Sequence, residues 1–193
     1  MPGFVDFFIN MCYHIKVKYL SEEEFMKKAV LVINGAGGVG KDTLCDLAER
    51  HLKIRNISTI TPIKDIARMC GWDGSKDDKS RKFLADLKQL SVEYNDFPTK
   101  WAINIFNEFM QTDEQILFVH IREPEEIAKF VKATGGFAKA LLVRGGERMK
   151  KSHYGNAADD CVENYTYDYY FLNDKTLEEA EREFVLLLSD IIK

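Results

Sequence analysis

The chain has 193 residues, 46% of them hydrophobic, and a formal net charge of −4. That is enough for one domain with a real core, and the acidic balance speaks against a general nucleic-acid binder, which is usually basic. Cys12, Cys45, Cys70 and Cys161 form no C-x-x-C pair, so they read as reduced thiols of a cytoplasmic protein rather than a disulfide frame or zinc site, and no apolar run is long enough to span a bilayer.

Residues 1–25 stand apart from the rest of the chain. Phe4, Val5, Phe7, Phe8 and Ile9 are apolar, yet no basic leader or small-residue cleavage site accompanies them. Two readings stay open: an upstream extension ahead of a native start at Met26, or an N-terminal helix packed on the surface. The run Glu22, Glu23, Glu24, Phe25 back-translates to a purine stretch of the ribosome-binding kind just before the Met26 codon, which speaks for the first. The domain proper is then residues 26–193.

The apolar run at residues 29–34 (AVLVIN) reads as a buried strand. It leads into Gly35, Ala36, Gly37, Gly38, Val39, Gly40, Lys41, Asp42 and Thr43, and a helical stretch leads out. Strand, glycine-rich turn and helix are the context a phosphate-binding loop needs. Glycines let the backbone turn its N–H groups onto an anion, and the helix start adds partial positive charge. Lys41 supplies a full charge, and a hydroxyl near the helix start can hold Mg²⁺. The spacing of Gly35, Gly37 and Gly40 also matches a dinucleotide fingerprint, but that requires an acidic residue after the second strand. The β-branched run at residues 57–61, expected as that strand, ends without one.

The Gly-Lys-Asp-Thr run at residues 40–43 resembles the loop of phage-type deoxynucleoside monophosphate kinases, and more widely that of adenylate kinase-like nucleoside monophosphate kinases. The likeness continues along residues 29–190. The Pro62, Ile63, Lys64, Asp65 run resembles their acceptor-facing segment, which implies that Lys64, and Arg68 one helical turn on, meet an acceptor phosphate. Arg81 lies where these kinases carry another acceptor arginine. An apolar stripe of Phe83, Leu84, Leu87 and Leu90 at helical spacing predicts a helix. Trp101, Ile105 and Phe109 read as core, while Trp72 and Tyr94 suit either packing or stacking on a base.

Residues 115–120 (QILFVH) predict a buried parallel strand. Beyond its end Arg122 matches an arginine of the resembled family, where it grips phosphate, and Glu126 is expected to hold it. His120 stands where that family carries an acid, so the site's second carboxylate is in question; a hydrogen-bonded role suits the histidine. Residues 125–133 read as a helix and 138–143 as a fourth strand. The basic run from Arg144 to His153, with Arg148 inside it, lies where nucleoside monophosphate kinases place a lid over the triphosphate. A small lid is therefore expected near residues 144–160, with Arg144 and Arg148 over the γ-phosphate. Residues 156–162 read as a short acidic helix and 167–172 as a fifth strand. Asn173 comes next, in the loop that borders the adenine in the resembled kinases. A last helix runs over 177–192 and buries Phe184, Leu187, Leu188 and Ile191.

Strands alternating with helices give an α/β fold. The resemblance implies a three-layer P-loop NTPase fold with a five-stranded parallel sheet in order 2-3-1-4-5 and helices on both faces. It implies an ATP- and Mg²⁺-dependent phosphotransferase acting on a small phosphorylated metabolite, foremost a nucleoside or deoxynucleoside monophosphate. The loop residues Gly35, Gly37, Gly38, Val39, Gly40, Lys41 and Thr43, with Asn173, would bind ATP, and Thr43 and Asp42 would serve the metal. Lys41, Asp42, Arg122, Arg144 and Arg148 would act in transfer, while Lys64, Arg68, Arg81 and Arg122 would hold the acceptor. Phosphomevalonate and dephospho-coenzyme A are alternative acceptors. A nucleotide-binding regulator or slow NTPase without acceptor chemistry is the alternative class. No nucleic-acid or membrane partner is expected, and the sequence does not specify an oligomeric state.

Overall fold

The computed structural model describes residues 28–146 and 162–193. The N-terminal stretch and nearly all of the expected lid lie outside them. Five strands, β1 (Ala29–Asn34), β2 (Ile54–Ser58), β3 (Ile116–His120), β4 (Lys139–Gly145) and β5 (Tyr169–Asn173), form one sheet in the order β2-β3-β1-β4-β5. Every neighbouring pair is parallel. Fold class and strand order are those expected. The cause is visible in the sequence, since β1 and β3 are near-continuous apolar runs that can only be satisfied in the middle of a sheet covered on both faces.

Among the described residues six helices cover it: α1 (Lys41–Ala48), α2 (Thr61–Met69), α3 (Asp78–Asn95), α4 (Phe97–Phe109), α5 (Pro124–Ala133) and α6 (Leu177–Ile191). Right-handed crossovers send α1 to one face and α2 to α5 to the opposite face, and the last helix α6 joins α1. Accordingly α1 packs on α6, and α4 packs on α5. On the α6 face Phe184 lies between Phe118 and Phe171, with ring centroids 6.1 and 5.0 Å away. On the other face Phe109, Ile127 and Phe130 are fully buried. Each such side chain contributes about 1.5–3 kcal/mol relative to exposure. The shared register brings Asn34, His120, Gly145 and Asn173 to the carboxyl edge of the sheet, where ligands of open α/β sheets sit.

Several expected elements shift. β2 occupies residues 54–58 rather than 57–61, because helix α2 begins at Thr61 with Pro62 in its first turn. Proline fixes a helical φ and donates nothing to a sheet ladder, and the Lys64 N–H already bonds the Ile60 carbonyl at 3.0 Å. The apolar stripe of α3 is not buried. This helix packs on α2 and α4 rather than on the sheet, and Phe83 and Leu90 are 36% and 63% exposed. Phe109 is core as expected, with Trp101 and Ile105 partly buried against it, and in α6 Phe184 and Leu188 are buried while Leu187 and Ile191 are partly so. Of the acidic stretch before β5, only a single 3₁₀ turn at Val162–Asn164 falls within the described residues. No helix among the described residues is long and apolar enough to cross a membrane.

Candidate functional site

The loop between β1 and α1 is held from three sides. At its entry Asn34 is fully buried. Its Oδ1 accepts from the Gly35 N–H at 2.8 Å, and its Nδ2 donates to the Arg122 carbonyl at 3.1 Å and to the Tyr167 hydroxyl at 2.8 Å. Tyr167 in turn donates to the Val162 carbonyl at 2.7 Å. Burial pushes the Tyr167 phenol up to about 12, against the hydrogen bond from Asn34. At the exit, Asn173 donates from Nδ2 to the Val39 carbonyl at 2.9 Å. Inside the loop, the Lys41 ammonium donates to the carbonyls of Gly35 at 2.5 Å and Ala36 at 2.9 Å.

Two glycines are required by this geometry. Gly35 has φ 147°, and a Cβ there would stand 2.3 Å from the Val143 carbonyl oxygen. Gly40 begins α1 in the left-handed conformation, φ 86°, where L side chains are strained. The loop therefore lies flat against β4, with its last residue turned so that the first N–H groups of α1 open outward. An anion placed there meets the helix-start N–H groups, which have no partner within the helix, and an ammonium that trades carbonyl oxygens for phosphate oxygens.

Asp42 and Thr43 occupy the exposed first turn of α1. A hydroxyl and a carboxylate are hard oxygen donors, which fit Mg²⁺; that ion takes few protein ligands and keeps several waters. No group of three or more His, Cys, Asp or Glu side chains that could cage a metal exists among the described residues. His120 stands beside this turn. Its Nε2 lies 2.8 Å from Asn56 Oδ1, and its Nδ1 lies 3.7 Å from Asp42 Oδ1. Burial holds its imidazole below the ordinary histidine value, although the Asp42 carboxylate pulls it upward. Cys45, beneath the ring, is fully buried, and its thiol is pushed far up by that burial and by Asp42. It is a core thiol rather than a nucleophile.

The acceptor-side residues are dispersed over several elements. Lys64 is half-buried in the first turn of α2. Arg68 lies further along that helix but is paired with Asp65 at 2.5 Å, its guanidinium 5.7 Å from the centre of the Trp72 ring. Trp72 donates to the Ser75 carbonyl, so it staples its own loop, while Tyr94 is 86% exposed. Arg81 donates from Nε to the Lys76 carbonyl at 2.8 Å. Arg122 is exposed just past β3, in a turn whose carbonyl Asn34 holds. Glu126, expected to hold Arg122, is instead ion-paired with Lys88 of α3 at 3.0 Å, and Glu123 joins the same ammonium at 2.8 Å. Burial pushes the Glu126 carboxyl up. Glu123 is also pushed up by burial, but the Lys88 charge together with the hydrogen bonds from Lys88, Glu126 and the backbone outweighs this and holds that carboxyl low. Arg144 forms a two-pronged bond to Glu163 at 3.0 and 2.6 Å and lies 4.8 Å from the centre of the Tyr170 ring. Arg148 lies outside the described residues.

The structure thus brings Gly35, Lys41, Asp42, Thr43 and Asn173 together at the sheet edge, and adds Asn34, Asn56, His120 and Tyr167. Asn34 has a signal in the sequence that could have marked it: a polar residue ending an otherwise apolar strand. Asn56 and Tyr167 have none, because their partners are distant in the chain.

No protein-family model and no curated protein matches the chain. Solved structures resemble it weakly. A gluconokinase from Sinorhizobium meliloti 1021 is 15% identical with a TM-score of 0.47, covering 86% of this chain and 94% of that one. A shikimate kinase from Aquifex aeolicus vf5 is 13% identical with a TM-score of 0.44, covering 83% and 96%. A sugar kinase from Janibacter sp. HTCC2649 is 14% identical with a TM-score of 0.45, covering 85% and 95%. Likeness at this level assigns no substrate.

Proposed function

We propose that this chain is an ATP-dependent phosphotransferase for a small phosphorylated metabolite, foremost a nucleoside or deoxynucleoside monophosphate. One observation carries the reading: the Lys41 ammonium is curled onto the Gly35 and Ala36 carbonyls of a glycine loop at a helix start, a place for polyphosphate and little else. In this reading residues 35–41 cradle the phosphates and Asn173 braces the loop. Thr43 and Asp42 serve Mg²⁺, which when bound neutralises charge on the phosphate oxygens. Lys64 and Arg122 face the acceptor phosphate. An acceptor phosphate is already nucleophilic, so positioning and charge neutralisation suffice.

Arg68 and Arg144 would first have to leave Asp65 and Glu163. Those occupied arginines, with His120 in the place of an acid, favour the other class, a nucleotide-binding regulator or slow NTPase. The deciding experiment measures ATP consumption with Mg²⁺ over a panel of ribo- and deoxyribonucleoside monophosphates, phosphomevalonate and dephospho-coenzyme A. ADP formed only with one acceptor is the expected result; ATP bound but never spent supports the regulator. In the same assay Lys41→Ala abolishes transfer while circular dichroism stays native. Full turnover in that variant would falsify the loop assignment.

A further inference from the structure

One polar chain beside the loop has no part in phosphate binding. Asn56 lies on β2 and His120 ends the adjacent β3. Asn56 is paired with Phe118 and Ser58 with His120, which places both polar side chains on the same face of the sheet. Asn56 Oδ1 lies 2.8 Å from His120 Nε2. A carboxamide oxygen only accepts, so Nε2 carries the proton and donates, and the neutral ring keeps a bare lone pair at Nδ1. Nδ1 faces Asp42 Oδ1 at 3.7 Å. Both atoms are acceptors, so neither can satisfy the other. Cys45 Sγ, 4.0 Å from Nε2, closes the buried side of the ring, and the Asp42 side chain is 89% exposed on the open side. Two acceptors set side by side, one fixed by a neighbouring strand and one open to solvent, present a place where a single donor group can meet both.

We propose that His120 Nδ1 and the Asp42 carboxylate form a two-point acceptor clamp for an O–H donor at the mouth of the phosphate loop, with Asn56 selecting the tautomer that leaves Nδ1 bare. The donor is a metal-held water, which has a proton for each acceptor, or a hydroxyl of the acceptor substrate, whose one proton the two acceptors share. The inference rests on the phosphate-loop reading of residues 35–41. A neutral imidazole suits this position because a second carboxylate would repel both Asp42 and a bound polyphosphate. His120 accepts a hydrogen bond there without adding charge.

The test is NMR of isotope-labelled imidazole at about pH 8, above the ordinary histidine value, with His120→Gln assigning the signal. In the free protein His120 is expected as the Nε2–H tautomer. An Nδ1–H tautomer overturns the clamp, because the ring would then simply donate to Asp42. Adding ADP with Mg²⁺ is expected to move the Nδ1 resonance in the direction of an accepted hydrogen bond, while ADP in EDTA leaves it still; this identifies a metal-held water. Movement only when a member of the acceptor panel joins metal-free ADP identifies the substrate hydroxyl. Silence in both arms, with ADP binding established by calorimetry, overturns the clamp alone. Calorimetry that detects no ADP binding at all overturns the phosphate-loop reading and the clamp with it.

Two variants complete the test. Asn56→Leu is expected to give mixed tautomers while ADP still binds, and an unchanged tautomer removes Asn56 from the proposal. His120→Phe is expected to lower turnover about tenfold, the worth of one hydrogen bond, with KM for ATP unchanged. His120→Gln, which restores an acceptor oxygen, recovers part of that loss. Equal turnover in the Phe and Gln variants argues for bulk rather than acceptance and counts against the clamp.

Discussion

At the scale of single residues, the two required glycines separate stability from binding. Gly35→Ala sets a methyl 2.3 Å from the Val143 carbonyl oxygen, which is backbone of a central strand and cannot step aside. The expected cost is about 2–4 kcal/mol. Gly40→Ala meets instead the Asn173 amide at 2.6 Å, the far end of a side chain that can swing away. The left-handed backbone there costs about 1–2 kcal/mol, and the Asn173 bond to Val39 is lost. Urea denaturation should therefore rank Gly35→Ala as the less stable variant, and nucleotide titration should show Gly40→Ala weakened beyond its stability loss. Tyr167 makes a prediction in pH. Its phenol titrates at about 12 in the folded chain against an ordinary 10, so between these values the unfolded chain binds fewer protons. Stability is fully present below pH 10 and is lost as pH rises toward 12, by about 2.7 kcal/mol at most. Tyr167→Phe should flatten that alkaline decline in a stability–pH series; an equally steep decline removes Tyr167 as its cause.

At the scale of elements, helix α3 differs from its neighbours. None of its residues is fully buried, and its stripe of Phe83, Leu84, Leu87 and Leu90 meets other helices instead of the sheet. It is held by an Asp77 cap, whose side chain accepts from the Ser80 N–H at 2.7 Å, and by the pairing of Lys88 with Glu123 and Glu126. Helices with little buried area open at low free energy. Asp77→Ala removes about 1 kcal/mol of capping, and the expected result is faster amide exchange confined to α3 with the core strands unchanged. Exchange that quickens equally in β1 and β3 would show that α3 is part of the global unit. Helix α4 is secured differently. The Lys28 ammonium donates to the carbonyls of Phe109, Thr112 and Glu114 at 2.9, 2.6 and 2.9 Å, so the entry to β1 closes the exit of α4. Burial lowers the Lys28 pKa while Glu114 and Asp113 pull it upward.

At the scale of the whole molecule, five parallel strands and one continuous core on both sheet faces predict one cooperative unfolding transition. A ligand that binds only the folded chain raises its stability. ATP with Mg²⁺ at about 100 times its dissociation constant adds about 2.7 kcal/mol, or roughly 5–10 °C in Tm for a chain of this size. Differential scanning fluorimetry should record that shift for the native sequence and none for Lys41→Ala. An equal shift in the variant would place the nucleotide elsewhere.

The amino-acid sequence by itself determined the sheet and the loop. The apolar runs at β1 and β3 can be buried only in the centre of a parallel sheet, and the glycines, Lys41 and Thr43 state their geometry and charge within nine residues. Such signals are local, and local chemistry is legible. It foretold the helix α3 but not what that helix packs on, because helical spacing of apolar residues does not say whether sheet, helix or solvent lies opposite. It could not assign Arg68 and Arg144 to Asp65 and Glu163, nor Lys88 to Glu126, since an ion pair depends on where each long side chain comes to rest. The clamp of His120 with Asp42 and the buried triad of Asn34, Tyr167 and Val162 were decided by tertiary structure alone. Their members lie 78 and 133 positions apart at the widest, and only the assembled sheet with its helices brings them within reach.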